Sequence, residues 1–178
     1  MNLNQTIIIN RIWAMSSPWT FSIKPIKNLL DRYISPTQKW CDPFAGKYSP
    51  AQIKNDLNGE HEFCMDALDF LKTRKDGEFD GVLLDPPYSY RQVSEHYKKA
   101  GIKVTSWHTS AGYNSALKNE VKRILKPGGF VICFAWNSTG MGKNREFKII
   151  EILLVCHGSY KNDTIVVVEK QTDKVQKN

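Results

Sequence analysis

The stretch FDGVLLDPPY, residues 79–88, joins a strand-like run to an abrupt and stiff ending. Its continuous apolar core is typical of a strand in a sheet that is covered on both faces. Two successive prolines then remove two backbone donors and fix φ at about −65°. Because glycine or asparagine could end a strand more simply, this ending predicts a rigid turn that holds a ligand or substrate.

Helix-like segments lie on both sides of this stretch. Apolar residues at helical spacing predict helices over residues 23–34, 67–74 and 115–125, and Pro25 suits the first turn of the first of them. The sequence KPGG is expected to stop the last helix.

Strand-like runs alternate with these helices. They are QIKNDLN, HEFCMDA, FVICFAW, KIIEILLVCHG and TIVVVEK. The last two are joined by SYKND, which is short enough for an antiparallel hairpin. The pattern predicts an α/β fold with a Rossmann-like, doubly wound, mostly parallel sheet and a C-terminal antiparallel hairpin. Ligands of such sheets bind beyond the carboxyl ends of the strands.

Composition limits the class of protein. With 178 residues and 41% apolar content, the chain is expected to form a single domain, residues 1–178. Lysine and arginine outnumber aspartate and glutamate by 25 to 18, and this excess favours a polyanionic partner, although plain solubility would also explain it. The four cysteines are widely spaced, which indicates reduced packing residues and argues against disulfides or a zinc site.

No targeting or membrane segment is predicted. The N-terminal run TIII is too short for a signal peptide, and the apolar run IIEILLVC is interrupted by Glu151. The sequence therefore predicts a soluble, cytoplasmic protein.

Four aspartates follow predicted strands: Asp42, Asp56, Asp66 and Asp85. Each alone is typical of a helix cap or turn. As an ordered set they indicate a pocket for a ligand with hydroxyls, amines and a cationic part. Asp56 occupies the position where a carboxylate often holds a ribose, and Asp66, with Ala67, is placed to accept from an adenine amino group.

The sequence DPFAG predicts a tight turn in which Gly46 lets the backbone approach a ligand. It is not the G-x-G-x-x-G fingerprint, so a dinucleotide-dependent dehydrogenase is disfavoured.

The proline corner suggests a specific chemistry. A rigid turn can direct the Asp85 carboxylate and the Pro86 carbonyl at one point, and two adjacent acceptors suit an exocyclic amine with two hydrogens. Tyr88 offers a flat face for the attached ring. Accepting both hydrogens makes such an amine more nucleophilic, so a methyl cation donor held nearby could react through positioning and electrostatics. The sulfonium of S-adenosylmethionine matches a pocket rich in carboxylates.

DPFAG (42–46) followed by DPPY (85–88) resembles the S-adenosylmethionine-dependent amino-methyltransferases that modify adenine in DNA. The segment TFSIKPIKNLL (20–30) is similar to the one that closes over the methionine end of the cofactor in this family. The likeness is greatest to the short enzymes of phages and mobile elements and covers roughly residues 10–170. It implies a class I fold with a seven-stranded sheet and site-specific methylation of adenine N6.

The resemblance also implies roles for individual residues. Asp85, Pro86, Pro87 and Tyr88 would hold the target base, and an aspartate at the first of these positions favours adenine over cytosine. The turn differs from the family after Gly46, where KYSP lacks the second small residue that is frequent there. The implied cofactor-binding residues are Phe21, Lys24, Pro25, Asp42, Pro43, Phe44, Ala45, Gly46, Asp56, Leu57, Asp66, Ala67 and Asp85.

Residues 89–114 are the candidate substrate-binding loop, because cations alternate there with aromatic residues. This composition suits phosphate contacts and base stacking, although a solvated loop would also explain it. His96 and His108 are interpreted as loop polar residues, and no metal is expected. The candidate substrate-binding residues are Tyr88, Tyr90, Arg91, Lys98, Lys99, Lys103 and Trp107.

The sequence therefore predicts an adenine-N6 methyltransferase that acts on DNA, alone, as a homodimer or with a partner subunit. One alternative keeps the chemistry and moves it to RNA or a protein amide. Another is a catalytically weak subunit that binds nucleic acid.

Overall fold

The computed structural model describes residues 6–59, 61–158 and 161–172. A single mixed sheet of seven strands runs through it, in the order β1-β6-β7-β5-β4-β2-β3. The strands are β1 (Ile8–Trp13), β2 (Trp40–Asp42), β3 (Ile53–Lys54), β4 (Phe79–Leu84), β5 (Leu125–Ala135), β6 (Phe147–Cys156) and β7 (Thr164–Gln171).

The sheet confirms the predicted α/β architecture. The pairs β2–β3, β2–β4, β4–β5 and β1–β6 are parallel. Strand β7 is antiparallel to both of its neighbours, β5 and β6, so the predicted C-terminal hairpin is confirmed.

Two strand assignments differ from the sequence pattern. The run HEFCMDA contributes only a bridge between Phe63 and Asn55, because the Asn55 side chain bonds the backbone of Pro43 and Met65 where a further strand would pair. The seventh strand instead comes from the N-terminal apolar run, which forms β1 beside β6.

Four α-helices cover the sheet: α1 (Lys24–Tyr33), α2 (Ala67–Lys72), α3 (Tyr90–Lys99) and α4 (Ala111–Ile124). Pro25 lies in the first turn of α1, as predicted. The segment 89–114, expected to be a loop, contains all of α3 and the start of α4.

The helix ends before KPGG, as predicted, but the chain continues there directly into a strand. Helix α4 ends at Ile124 and β5 begins at Leu125, so KPGG lies inside the strand. The register with β4 shifts between Phe79 and Gly81, which accommodates the extra residues as a bulge, and Gly128 adopts a φ of 74° there.

Apolar side chains fill both faces of the sheet. Helices α2 and α4 pack Phe70, Leu71 and Val121 on one face, and α1 packs Ile26 and Leu29 on the other. The two faces bury different side chains of β4, which explains the continuous apolar run in its sequence.

Gly81 of β4 is required by the packing. A Cβ atom at this position would lie 2.5 Å from the ring of Trp40, which is fully buried in the neighbouring strand β2. The close approach of Trp40 to β4 fixes the spacing of the two strands whose carboxyl ends carry Asp42 and Asp85.

In the described ranges, no helix combines the length and the apolar character that a membrane span requires. The same ranges hold no cluster of three His, Cys, Asp or Glu side chains with the arrangement of metal ligands. Cys41 and Cys133 are buried free thiols, Cys156 is half-buried and Cys64 is exposed.

Candidate active site

A cavity of about 230 Å³ opens at the carboxyl ends of β2, β3 and β4. Six parts of the chain line it: the segment around Thr20, the turn after β2, the turn after β3, the start of α2, the corner after β4 and the inner face of α3. The lining residues are Pro18, Trp19, Thr20, Phe21, Pro43, Phe44, Gly46, Lys47, Tyr48, Asp56, Leu57, Met65, Asp66, Ala67, Asp85, Pro86, Pro87, Tyr88, Gln92, His96 and Tyr97.

Most residues proposed to bind the cofactor or the base therefore line the same cavity. Four of them do not line it. Lys24 is exposed and Pro25 half-buried at the start of α1, whereas Asp42 and Ala45 are fully buried behind the turn.

Asp42 holds the turn after β2 in place from its buried side. One of its carboxylate oxygens accepts from the Phe44 N–H at 3.0 Å, and the other accepts from the Ser49 hydroxyl at 2.6 Å. Burial raises the pKa of Asp42 to about 7, although these two hydrogen bonds oppose the shift. Ser49 belongs to the KYSP sequence, so the residues that depart from the family pattern supply a partner for the aspartate.

Gly46 lies against the ring of Trp19. A Cβ at this position would lie 3.3 Å from the ring of Trp19, so the glycine leaves room for this ring, and both residues line the cavity. Trp19 in turn contacts Tyr48 edge to face, with ring centroids 6.2 Å apart. The N-terminal segment is thereby held over the turn.

Asp56 follows β3 and lines the cavity beside Leu57. One oxygen of its carboxylate accepts from the Asn58 N–H at 2.8 Å. The other oxygen accepts no hydrogen bond from the described residues, and it is available to a hydroxyl-bearing ligand. Asn58 also donates to the His96 carbonyl at 2.8 Å, which fastens this turn to α3.

Asp66 is fully engaged within the chain. One oxygen caps α2 by accepting from the N–H groups of Leu68 and Asp69. The other accepts from the hydroxyls of Tyr97 in α3 and Tyr113 in α4, and both rings are buried. Asp66 lines the cavity, but an adenine amino group would compete for its carboxylate with these four partners.

Asp85 stands at the end of β4, half-buried in the wall of the cavity. Its carboxylate accepts a hydrogen bond from the hydroxyl of Tyr88, three residues later. Burial raises the pKa of Asp85, and hydrogen bonds from Tyr88 and Thr20 oppose the shift. Burial likewise raises the pKa of Tyr88, so its hydroxyl is neutral and acts as a donor at physiological pH.

Two side chains from other parts of the chain hold the corner. Gln92 of α3 accepts from the Tyr88 N–H at 2.7 Å, and Trp136, just after β5, lies against the Tyr88 ring with centroids 5.5 Å apart.

A second cavity of about 180 Å³ adjoins the first and shares Phe44, Pro86, Pro87, Tyr88 and Tyr97 with it. The corner therefore separates two spaces.

The proposed substrate-binding residues lie mostly outside both cavities. Tyr90 lines the second cavity, but Arg91, Lys98 and Lys99 point to solvent from the outer face of α3, where Arg91 pairs with Glu95 at 2.7 Å. Lys103 is exposed as well. Trp107 is 49% exposed and packs edge to face on Tyr113, with ring centroids 6.1 Å apart. Because α3 forms a regular helix, it directs its inner residues to the cavity and its cations outward.

Several functional candidates had no signal in the sequence. Trp19 lies just before the segment 20–30 and Thr20 begins it, but neither was singled out, and Gln92 and Tyr97 lie in a segment expected to be a loop. Recognising residues 90–99 as an amphipathic helix would have identified Gln92, His96 and Tyr97 as one face.

No family model and no curated protein matches the sequence. Solved structures do match. A 1,6-didemethyltoxoflavin-N1-methyltransferase from Burkholderia thailandensis, crystallised with S-adenosylhomocysteine, aligns with a TM-score of 0.56 at 12% identity, over 84% of this chain and 78% of its own.

Two further structures are similar. TrmN from Thermus thermophilus aligns with a TM-score of 0.55 at 16% identity, over 84% of this chain and 49% of its own. The N-methyltransferase NodS from Bradyrhizobium japonicum aligns with a TM-score of 0.51 at 10% identity, over 84% of this chain and 96% of its own. These likenesses establish that the chain has the fold of class I methyltransferases.

Proposed function

We propose that this protein is an S-adenosylmethionine-dependent methyltransferase that modifies the exocyclic amino group of adenine in DNA. The observation that carries the proposal is the position of Asp85. Its carboxylate lies in the wall of the same cavity as the ribose candidate Asp56, at the carboxyl edge of a class I methyltransferase fold.

The cavity has the chemistry that the cofactor needs. Asp56 offers an unengaged carboxylate oxygen for the ribose hydroxyls, and Asp56 and Asp85 together suit the positive sulfonium. Phe21 and Phe44 supply apolar surface for the rest of the molecule. S-adenosylmethionine would supply the methyl group, and one similar structure was crystallised with its demethylated product.

The chain's own residues would prepare the amine. Asp85 and the Pro86 carbonyl accept its two hydrogens, which localises the nitrogen lone pair. Tyr88 donates to one oxygen of Asp85 in the substrate-free chain, so its hydroxyl competes with the amine for this oxygen. The Tyr88 ring then offers a stacking face for the extruded base, and stacking of about 1–3 kcal/mol offsets part of the cost of base flipping.

Charge supports a nucleic acid as the substrate. The chain carries a net charge of +7, and the exposed cations Arg91, Lys98 and Lys99 lie on α3, the helix whose inner face lines the cavity. Phosphates of a strand that enters the cavity can contact this outer face. Aspartate at position 85 favours adenine within the family that the motifs resemble.

The test is a methyl-transfer assay with labelled S-adenosylmethionine and matched samples of unmethylated DNA, RNA and protein. We expect label in DNA and N6-methyladenine in its digested nucleosides. Asp31→Asn serves as a control, because Asp31 pairs with Lys27 on the exposed side of α1. Label in RNA or protein without label in DNA would overturn the proposed substrate, and absence of label from all three would overturn the proposed activity.

A further inference from the structure

The outer strand β1 is apolar and exposed on both of its faces. All six residues are exposed, including Ile8 at 53%, Ile9 at 63% and Trp13 at 63%. In the described ranges the sheet ends at β1, so one edge of its backbone has no partner strand. Edge strands usually carry lysine, proline or a bulge that blocks pairing, and β1 has one arginine and none of these.

The backbone directions in β1 are defined. The Ala14 N–H donates to the Cys156 carbonyl of β6 at 3.0 Å, and Trp13 is the register partner of Cys156. Because successive residues of a strand alternate in direction, Ile8, Asn10 and Ile12 direct their backbone groups to β6. Ile9, Arg11 and Trp13 therefore present their N–H and C=O groups at the open edge.

We propose that a second copy of this chain pairs antiparallel with β1, across a two-fold axis at Asn10. Such an axis stands perpendicular to the sheet, so opposite residues lie on the same face. Asn10 then faces its own copy, where two carboxamides can hydrogen-bond to each other. Ile8 faces Ile12 of the second copy on the same side, and the contact occurs twice.

Hydrogen bonding and charge select this register. Ile9 and Arg11, which present their backbone groups outward, fall opposite each other and form the hydrogen-bonded pairs. Moving the two-fold axis by one residue, from Asn10 to Arg11, would place Arg11 opposite Arg11, and like charges directly opposite each other are unfavourable. An axis at Ile9 would place Ile9 opposite Ile9, but it would pair Ile12 with Thr6 and Ile8 with Asn10, so one isoleucine contact would replace two.

The proposed dimer leaves both active-site cavities open. Four strand spacings of about 4.8 Å separate β1 from β4, so each cavity lies roughly 19 Å from the shared edge. Because the two copies run antiparallel, their cavities open at opposite ends of the joined sheet, and each copy would act on its own target.

Sedimentation of the full chain across a concentration series tests the association. We expect wild type to run at twice the 20.4 kDa chain mass in the hundred-micromolar range. Ile9→Lys places a like charge opposite Arg11, and Ile9→Glu places an opposite one. Since the pair occurs twice, Ile9→Lys should dissociate at least about tenfold more readily than Ile9→Glu. A monomeric wild type, or equal dissociation of the two variants, overturns the proposal.

A disulfide variant tests the axis itself. Non-hydrogen-bonded antiparallel pairs have Cα atoms about 4.5 Å apart, within the range that a disulfide spans. Asn10→Cys should therefore form an intermolecular disulfide on mild oxidation. Ile9→Cys is the matched control, because each cysteine would face Arg11, and it should cross-link no more than wild type. Equal cross-linking of the two variants overturns the proposed register.

Discussion

Asp66 and Asp85 lie at the same edge of the sheet, both line the same cavity and both accept hydrogen bonds from tyrosine hydroxyls. Asp66 uses both oxygens within the chain, for the cap of α2 and for two tyrosines from distant helices. Asp85 takes its tyrosine from its own corner, three residues along the chain.

The difference separates a structural carboxylate from one that can exchange partners. Freeing Asp66 from its partners would remove the cap of α2 and leave two buried tyrosine hydroxyls without an acceptor, so several hydrogen bonds would be lost at once. The partners of Asp85 are the hydroxyls of Tyr88 and Thr20, neither of which belongs to a helix cap, and an incoming amine can replace the hydrogen bond that Tyr88 gives up. Position after a strand therefore does not by itself identify a catalytic aspartate.

The largest effect is expected for Asp85→Ala. Loss of the carboxylate should lower methyl transfer by about a thousandfold, or about 4 kcal/mol, since an acceptor aimed at the reacting nitrogen is removed. Binding of S-adenosylmethionine, measured by calorimetry, should remain within a few-fold of wild type. A variant that methylates DNA at the normal rate would remove the distinction between Asp85 and Asp66.

A pH effect of similar size is expected for Asp42, the third carboxylate at this edge. Its pKa is about 7 in the folded chain against 3.8 as an ordinary side chain, so the folded state binds the extra proton between these values. The stability that Asp42 contributes is therefore fully present below about pH 4 and is lost as the pH rises to about 7.

This change amounts to about 4 kcal/mol, estimated from the shift in pKa. It should appear in the difference between wild type and Asp42→Asn, with free energies of unfolding measured in urea at each pH. The variant provides its own control, because other titrating groups cancel in the difference. A difference that does not change over this pH range would contradict the assignment.

Asp66→Ala should destabilise the fold by about 3 kcal/mol, through the lost cap and the unpaired buried hydroxyls of Tyr97 and Tyr113. The matched variant Tyr113→Phe removes one hydrogen bond and should cost about 1 kcal/mol. Both are measured by urea unfolding. Unfolding of Asp66→Ala at the wild-type urea concentration would show that the two-tyrosine arrangement contributes nothing.

The smallest effect is expected for Tyr88→Phe. It removes the hydroxyl from Asp85 and keeps the ring, so methyl transfer should stay within about fivefold of wild type. Tyr88→Ala also removes the stacking face and should lower DNA affinity and turnover by about tenfold or more. Steady-state kinetics on DNA compare the two. Equal losses in both variants would assign the role to the hydroxyl and not to the ring.

Features that depend on neighbouring residues could be predicted from the sequence. Residues 79–88 contain both the apolar run that forms β4 and the prolines that stiffen its end, and residues 147–171 contain both strands of the hairpin. Helical spacing located α1 and α2 to within two residues. Such elements follow from local backbone preference and from the period of apolar residues, which can be read along the chain.

Contacts between residues that are far apart in the chain became known from the folded structure. Strand β1 pairs with β6, where Ile8 aligns with Glu151, and Asp66 receives Tyr97 and Tyr113 from helices 31 and 47 residues away. Trp19 comes to lie against Gly46, 27 residues along the chain, and both line the cavity. These contacts depend on how the elements dock, and docking follows from shape and burial over the whole sheet, for which no local pattern in the sequence exists.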